Sequence, residues 1–151
     1  QLVADEVKLR VRRLSLDQSA ANPTRVEPRP TLGPARRDRV FRAEALVELI
    51  NAHYAEPLSV PRLAALANMP STTAASTFRS VMGLSINEYL IRYRLAQALQ
   101  RLTDTDDPIL DVAFACGFGS ASRFYDLFRQ RVGDAPLQFR RKVRRGPDAA
   151  R

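Results

Sequence analysis

The feature that most constrains this chain is that part of it is written twice. Leu63-Ala64-x-x-Ala67-Asn68-Met69 recurs as Val112-Ala113-x-x-Cys116-Gly117-Phe118 at an offset of 49 residues. Phe78-Arg79 with Gly83 recurs as Phe128-Arg129 with Gly133 at an offset of 50. A repeat of this length is one supersecondary unit used twice. Within each copy the apolar residues fall at three- and four-residue steps, the period of a helix with one buried face. Asn68 and Gly117 stand between the two helical stretches of their copies, and both residue types tolerate the left-handed backbone that a tight turn requires. Each copy reads as helix, tight turn, helix, an arrangement whose second helix fits the major groove of duplex DNA.

The flanking sequence is helical from Phe41 onward and predicts an all-α fold. A first helix is expected over 42–53, with Leu46, Leu49, Ile50 and His53 inward. Ser59 and Ser71 are placed to cap the two helices of the first copy, and Ser120 the second helix of the other. Ser85-Ile86-Asn87-Glu88 has the form of a capping box and opens a helix of about 18 residues, a rod of ~27 Å. Residues 103–107 break it. Asp107-Pro108 is expected to cap and start the next helix, and Ala135-Pro136 the last one. Residues 1–19 differ: Val7, Leu9 and Val11 alternate with Lys8, Arg10 and Arg12, a short strand-like segment. Residues 20–40 hold prolines 23, 28, 30 and 34 and read as a Pro/Arg-rich linker. The organisation expected is therefore a strand-like segment at 1–19, a linker at 20–40, the repeated domain at 41–141 and a basic tail at 142–151.

A basic excess favours a polyanion partner, yet solubility alone also accounts for one, and its placement matters more than its size. The net charge is +8, of which +4 falls in residues 1–40, zero in 41–140 and +4 in 141–151. The cations are nearly all arginine, which suits bidentate phosphate contact. No run of about 18 apolar residues is present, so no membrane helix is expected. The start lacks the basic head and apolar core of a signal peptide. One cysteine, Cys116, rules out an internal disulfide and suits the cytoplasm. The absent initiator Met suggests a piece of a longer protein.

The ordered motifs resemble the AraC/XylS family of transcription regulators. They are Ile109-x-x-Val112-Ala113-x-x-Cys116-Gly117-Phe118, Ser122-x-Phe124-x-x-x-Phe128-Arg129, Gly133-x-x-Pro136 and Phe139-Arg140, with Tyr89-Leu90 and Arg94-Leu95 between the copies. The resemblance implies about seven helices, with two helix-turn-helix subdomains joined by a long connecting helix. It also implies a double-stranded DNA operator as partner, RNA polymerase as a second one, and an effector, if any, bound by a domain outside this chain. The strand-like start would then be the end of that domain. Recognition helices are implied over 72–80 and 121–130. Thr72, Ala75 and Ser76 in the first, and Ala121, Ser122, Arg123 and Asp126 in the second, match base-facing positions. Of these, Thr72, Ser76, Ser122, Arg123 and Asp126 are the candidates for polar base contact. Arg123 is the first choice, to guanine. Arg79, Arg129, Ser71 and Ser120 are the candidates for phosphate contact.

Each assignment has a plainer competitor. Ser76 and Asp126 stand where the family often has arginine, and Asp126 reads equally as a surface acid or as a partner for a nearby arginine. Arg79 and Arg129 could form structural salt bridges. Pro70 precedes Ser71 where the family commonly has Ser-Pro, so the start of the first recognition helix can shift by a residue. Phe78, Phe118, Phe124 and Phe128 follow the apolar pattern and belong to the core. An enzyme built on Cys116 and His53 is a weaker reading, because Cys116 fills the small apolar position that Ala67 fills in the other copy. No catalytic residue, metal site or cofactor is indicated. A protein-interaction module that kept the fold and lost DNA binding is the other alternative.

Overall fold

The computed structural model describes residues 33–146, and every regular element within them is a helix. They are α1 (Pro34–His53), α2 (Val60–Leu66), α3 (Ser71–Met82), α4 (Ile86–Asp104), α5 (Ile109–Ala115), α6 (Ala121–Val132) and α7 (Pro136–Arg145). The strand-like segment at 1–19 and the linker up to residue 32 lie outside the described residues. Helix α1 begins at Pro34, eight residues before the expected start. The first turns carry no core stripe, but proline suits the first position of a helix, and the alanine and arginines after it are good helix formers.

Two apolar cores form, one around each copy of the repeat. The first joins Leu46, Val47 and Ile50 of α1 to Leu63, Ala64, Ala74, Phe78 and Met82, and takes Ile86, Tyr89 and Leu90 from α4. The second takes Leu95, Ala98 and Leu102 from α4 and packs them on Val112, Ala113, Cys116, Phe118, Phe124 and Phe128. His53, expected inward, is only half-buried and sits with Nδ1 2.9 Å from Glu56 Oε1. Ile86 and Leu95 are nine residues apart, two and a half helical turns, so they point to opposite sides of α4. The connecting helix thus offers one flank to the first unit and the other flank to the second.

The repeat holds down to single hydrogen bonds. Asn68 N–H donates to Ala65 O at 3.1 Å and Met69 N–H to Ala64 O at 3.0 Å; Gly117 and Phe118 do the same to Phe114 and Ala113 at 2.9 and 3.1 Å. Asn68 has φ 51° and Gly117 φ 86°, as their place in the turn requires. Gly83 and Gly133 close α3 and α6 with left-handed backbone, donating to Arg79 O and Arg129 O. The offset changes from 49 to 50 at Gly119. The second turn reads Phe118-Gly119-Ser120 where the first reads Met69-Pro70.

A pair of arginines extends the repeat into the trailing helices. Arg94 of α4 donates from Nη2 to Glu56 O at 2.8 Å and from Nε to Tyr54 O at 2.7 Å, pinning the loop that leads into α2. Fifty residues on, Arg144 of α7 donates to Thr105 O and pairs with Asp106, in the loop that leads into α5. Arg140, buried, adds bonds to Leu102 O at 3.2 Å and Asp107 O at 2.7 Å. Residues 142–145, expected as tail, are therefore the end of α7, and Lys142 is paired with Asp134 at 2.9 Å. Asp107 does not cap α5. Pro108 takes the cap position and the Asp107 carboxylate accepts from Thr105 Oγ1 instead.

The two units meet where the second turn abuts the first loop. A Cβ on Gly117 would lie 2.5 Å from Tyr54 O and 2.9 Å from Arg94 Nε, whereas one on Gly133 would meet nothing within 4 Å. Both positions are left-handed, so alanine at either costs about 1–2 kcal/mol for the backbone alone. Gly117→Ala should cost clearly more than Gly133→Ala in urea unfolding, because only the former drives a methyl into the inter-unit contact. Equal losses would show that the two units are not held together there.

Candidate nucleic-acid interface

The two recognition helices are shaped by what they bury. Helix α3 turns Ala74, Thr77, Phe78 and Met82 inward, and α6 turns Phe124 and Phe128 inward. That leaves Thr72, Ala75, Ser76, Arg79 and Ser80 exposed on α3, and Ser122, Arg123, Asp126, Arg129 and Gln130 exposed on α6. All five candidate base-contact residues thus stand on solvent-facing surface, while Ala121 is half-buried. Ser76 Oγ lies 3.3 Å from Thr73 O, to which it donates, so its hydroxyl proton is held by the helix backbone.

The caps of the two helices differ. Ser120 Oγ accepts from Arg123 N–H at 3.2 Å and caps α6. Ser71 caps nothing: Pro70, with φ −60° and ψ 146°, occupies the cap position of α3 and Ser71 is its first helical residue. Proline cannot offer a side-chain acceptor, so the first turn of α3 lacks the hydroxyl bond that α6 has. Ser59 and Ser85 cap α2 and α4 as expected, accepting from Arg62 N–H and Glu88 N–H. The capping box is only half formed, because the Glu88 carboxylate is engaged by Arg92 at 2.8 Å and by Arg131 at 2.9 Å. Burial raises the Glu88 pKa, but the two guanidinium groups outweigh it and hold the carboxyl below its ordinary range.

Arg79 and Arg129 are exposed and make no ion pair among the described residues, and neither does Asp126. The salt-bridge reading of the two arginines finds no partner, and Asp126 orients no arginine. Arg123 lies elsewhere on α6. It lines a cleft of about 730 Å³ between the two units, together with Arg94, Ser120, Leu58 and Leu90. Burial, and then the nearby charge of Arg123, lower the pKa of Arg94. Arg94 enters the sequence reading only as a family motif on the connecting helix; its anchoring of the first loop was not read there, although Arg144 repeats it fifty residues on.

Cys116 is fully buried, and burial pushes its thiol up to about 11, against the pull of Arg101 and Arg94. A thiol so placed is no nucleophile near neutral pH. His53 is engaged by Glu56. Among the described residues no helix is long and apolar enough to cross a membrane.

Comparison with known proteins agrees with this geometry. Residues 63–142 match the family described as "Helix-turn-helix domain". The melibiose operon regulatory protein of Escherichia coli K12 is 30% identical over 141 residues, covering 93% of this chain and 47% of that protein. The chain therefore spans about half the length of the curated relatives it matches. The DNA-binding domain of AdpA, a global transcriptional factor solved in complex with a target DNA, is 32% identical with a TM-score of 0.66, covering 71% of this chain and 97% of that one. A transcriptional regulator of Chromobacterium violaceum, described as having an AraC-type DNA-binding domain, is 25% identical with a TM-score of 0.65, covering 71% and 96%.

The two arginines of the cleft should separate cleanly in folding stability. Arg123→Ala should leave stability within about 0.5 kcal/mol, as for an exposed side chain. Arg94→Ala should cost about 1.5–3 kcal/mol, because it strips charged donors from two carbonyls. Denaturant midpoints at fixed slope would test this, and a large loss for Arg123→Ala would mean that its place is structural.

Proposed function

Because this chain belongs to the AraC/XylS-type helix-turn-helix family, we propose that it binds one double-stranded DNA operator sequence-specifically, as the DNA-binding part of a transcription regulator. The observation that carries the reading is the duplicated unit, which presents two exposed helix faces, α3 and α6, on matching turns. In this reading each face enters a major groove, and the two grooves lie on one side of the duplex about one turn, or ~34 Å, apart. RNA polymerase is the second partner, and any effector is held by a domain outside this chain. The nucleoid is where such a protein acts.

Within that reading the residues divide by chemistry. Arg123, held at the capped first turn of α6, reaches a base edge, and guanine best matches its two parallel donors. Thr72, Ser76 and Ser122 offer hydroxyls, and Asp126 an acceptor for cytosine N4. Arg79 and Arg129, unpaired and near the ends of α3 and α6, contact phosphates. Ser71 has no capping duty and Ser120 has one; both stand at helix starts, where a phosphate is met by backbone N–H groups.

Selection from random duplexes with this chain, repeated with two variants, tests the division. Arg123→Ala should relax preference at one or two operator positions, with about 1–3 kcal/mol of discrimination lost there. Arg129→Ala should weaken binding to all sequences alike and leave the consensus unchanged. A consensus that survives Arg123→Ala would move specificity to the hydroxyls, Asp126 or DNA shape. No binding to any duplex at low salt would leave a protein-interaction module as the function.

A further inference from the structure

Helix α1 is longer than its core needs. Ala43 is the first residue buried in the first unit, and residues 33–39 are all exposed, so two turns of helix stand clear of the packing. Those turns are basic: Arg36, Arg37, Arg39 and Arg42 against Asp38. Asp38 is paired with Arg42 at 2.9 Å. Arg36, Arg37 and Arg39 form no ion pair among the described residues; Arg39 donates only to Ala35 O at 3.3 Å, within its own helix.

Their placement is specific. Arg36, Arg39 and Val40 of α1 border a recess of about 340 Å³ with Ser80 and Val81, the last turn of α3. Ser80 stands on the exposed face of α3, one turn beyond Ser76 and next to Arg79. The two units are unequal in exposed charge. Helix α6 carries Arg123, Arg129 and Arg131 against Asp126, with Arg131 paired to Glu88, whereas α3 carries Arg79 alone. The α1 extension brings two further guanidinium groups to the end of the face that is short of them. Three arginines without carboxylates, gathered at one helix end, complement a row of phosphates better than any neutral surface.

We infer that the first two turns of α1 are a second basic contact to duplex DNA, in which Arg36 and Arg39 hold backbone phosphates beside the C-terminal end of α3. The inference rests on the DNA-binding reading of α3 and α6 and adds a contact outside both repeats. The contact carries no base information, because it is made by flexible cations beyond the groove-facing positions. It extends the footprint past the segment read by α3.

The test is the salt dependence of binding, measured with this chain and a mixed-sequence duplex about three turns long. Each phosphate contact contributes about 0.9 to the slope of log affinity against log salt. Arg36→Gln with Arg39→Gln should flatten the slope by about 1.8 and remove backbone protection at one edge of a hydroxyl-radical footprint. Arg37→Gln removes one charge from the same turns, but Arg37 does not border the recess, so its slope should stay as in the parent chain. Far-UV circular dichroism should be unchanged, because none of these side chains packs in the core. An unchanged slope in the double variant, or one lowered equally per charge by Arg37→Gln, would overturn the inference while leaving the recognition helices in place. A parent chain that binds no duplex even at low salt would sink the DNA-binding reading, and this contact with it.

Discussion

Beside the shared helix α4 and the Arg131–Glu88 pair, the relation between the two units depends on the contact where the turn of the second copy rests on the loop of the first. Gly117 can sit against Tyr54 O only because it has no Cβ, and its left-handed φ of 86° is one that side chains resist. Arg94 closes the same junction, satisfying the carbonyls of Tyr54 and Glu56 with a charged donor that could not otherwise be half-buried. The Tyr54 ring packs against both cores. A glycine that serves the turn of one unit thereby also bears on where the other unit lies.

Much of this was legible in the sequence. The repeat predicted two equal units, and hydrogen bonds from Asn68 and Gly117 to matching carbonyls bear that out. Leu63, Ala64, Val112, Ala113, Phe78, Phe124 and Phe128 are buried as their period required. The side switch of α4 was not read, although nine-residue spacing from Ile86 to Leu95 contains it. A helix that buries opposite flanks in its two halves has no single apolar stripe, so periodicity over the whole length conceals what each half shows. What failed was local. Asp107 before proline has the look of a cap, but its carboxylate found Thr105 first. Ser71 follows a proline that takes the cap position itself. Side chains of aspartate and serine have several backbone partners within reach, and the choice among them is made by the loop, not the residue type.

The exposed faces were legible as positions and less so as chemistry. Every candidate base-contact residue is exposed, because the positions left over when phenylalanines turn inward are determined by helix geometry. What those side chains face depends on tertiary packing. Arg123 looks into the cleft with Arg94, whereas Asp126 and Arg129 do not border it. At the offset of 50 that aligns α3 with α6, Arg123 corresponds to half-buried Thr73 of α3. The units are equal in backbone but unequal in what they present.

The same unevenness governs how the positive charge can be used. Arginine is abundant, yet Arg94, Arg140 and Arg144 are spent on loop carbonyls, and Arg62, Arg92, Arg131 and Lys142 on carboxylates. Such groups are oriented inward or neutralised nearby and contribute little to counterion release on binding a polyanion. The cations left unpaired among the described residues include Arg36 and Arg37 on α1, Arg79 on α3, Arg123 and Arg129 on α6, and Arg141 and Arg145 on α7. Apart from Arg101 on α4, which also makes no ion pair among the described residues, they lie on α3 and α6 and on the two helices that bracket the domain, so a net charge of +8 overstates the centre of the molecule and understates its edges. In the DNA-binding reading proposed above, phosphate contacts from the edges and from Arg79 and Arg129 would set sequence-independent affinity, and the base-facing side chains of α3 and α6 would set specificity. Two different sets of side chains would then control the two quantities, so that one could be altered by substitution without the other.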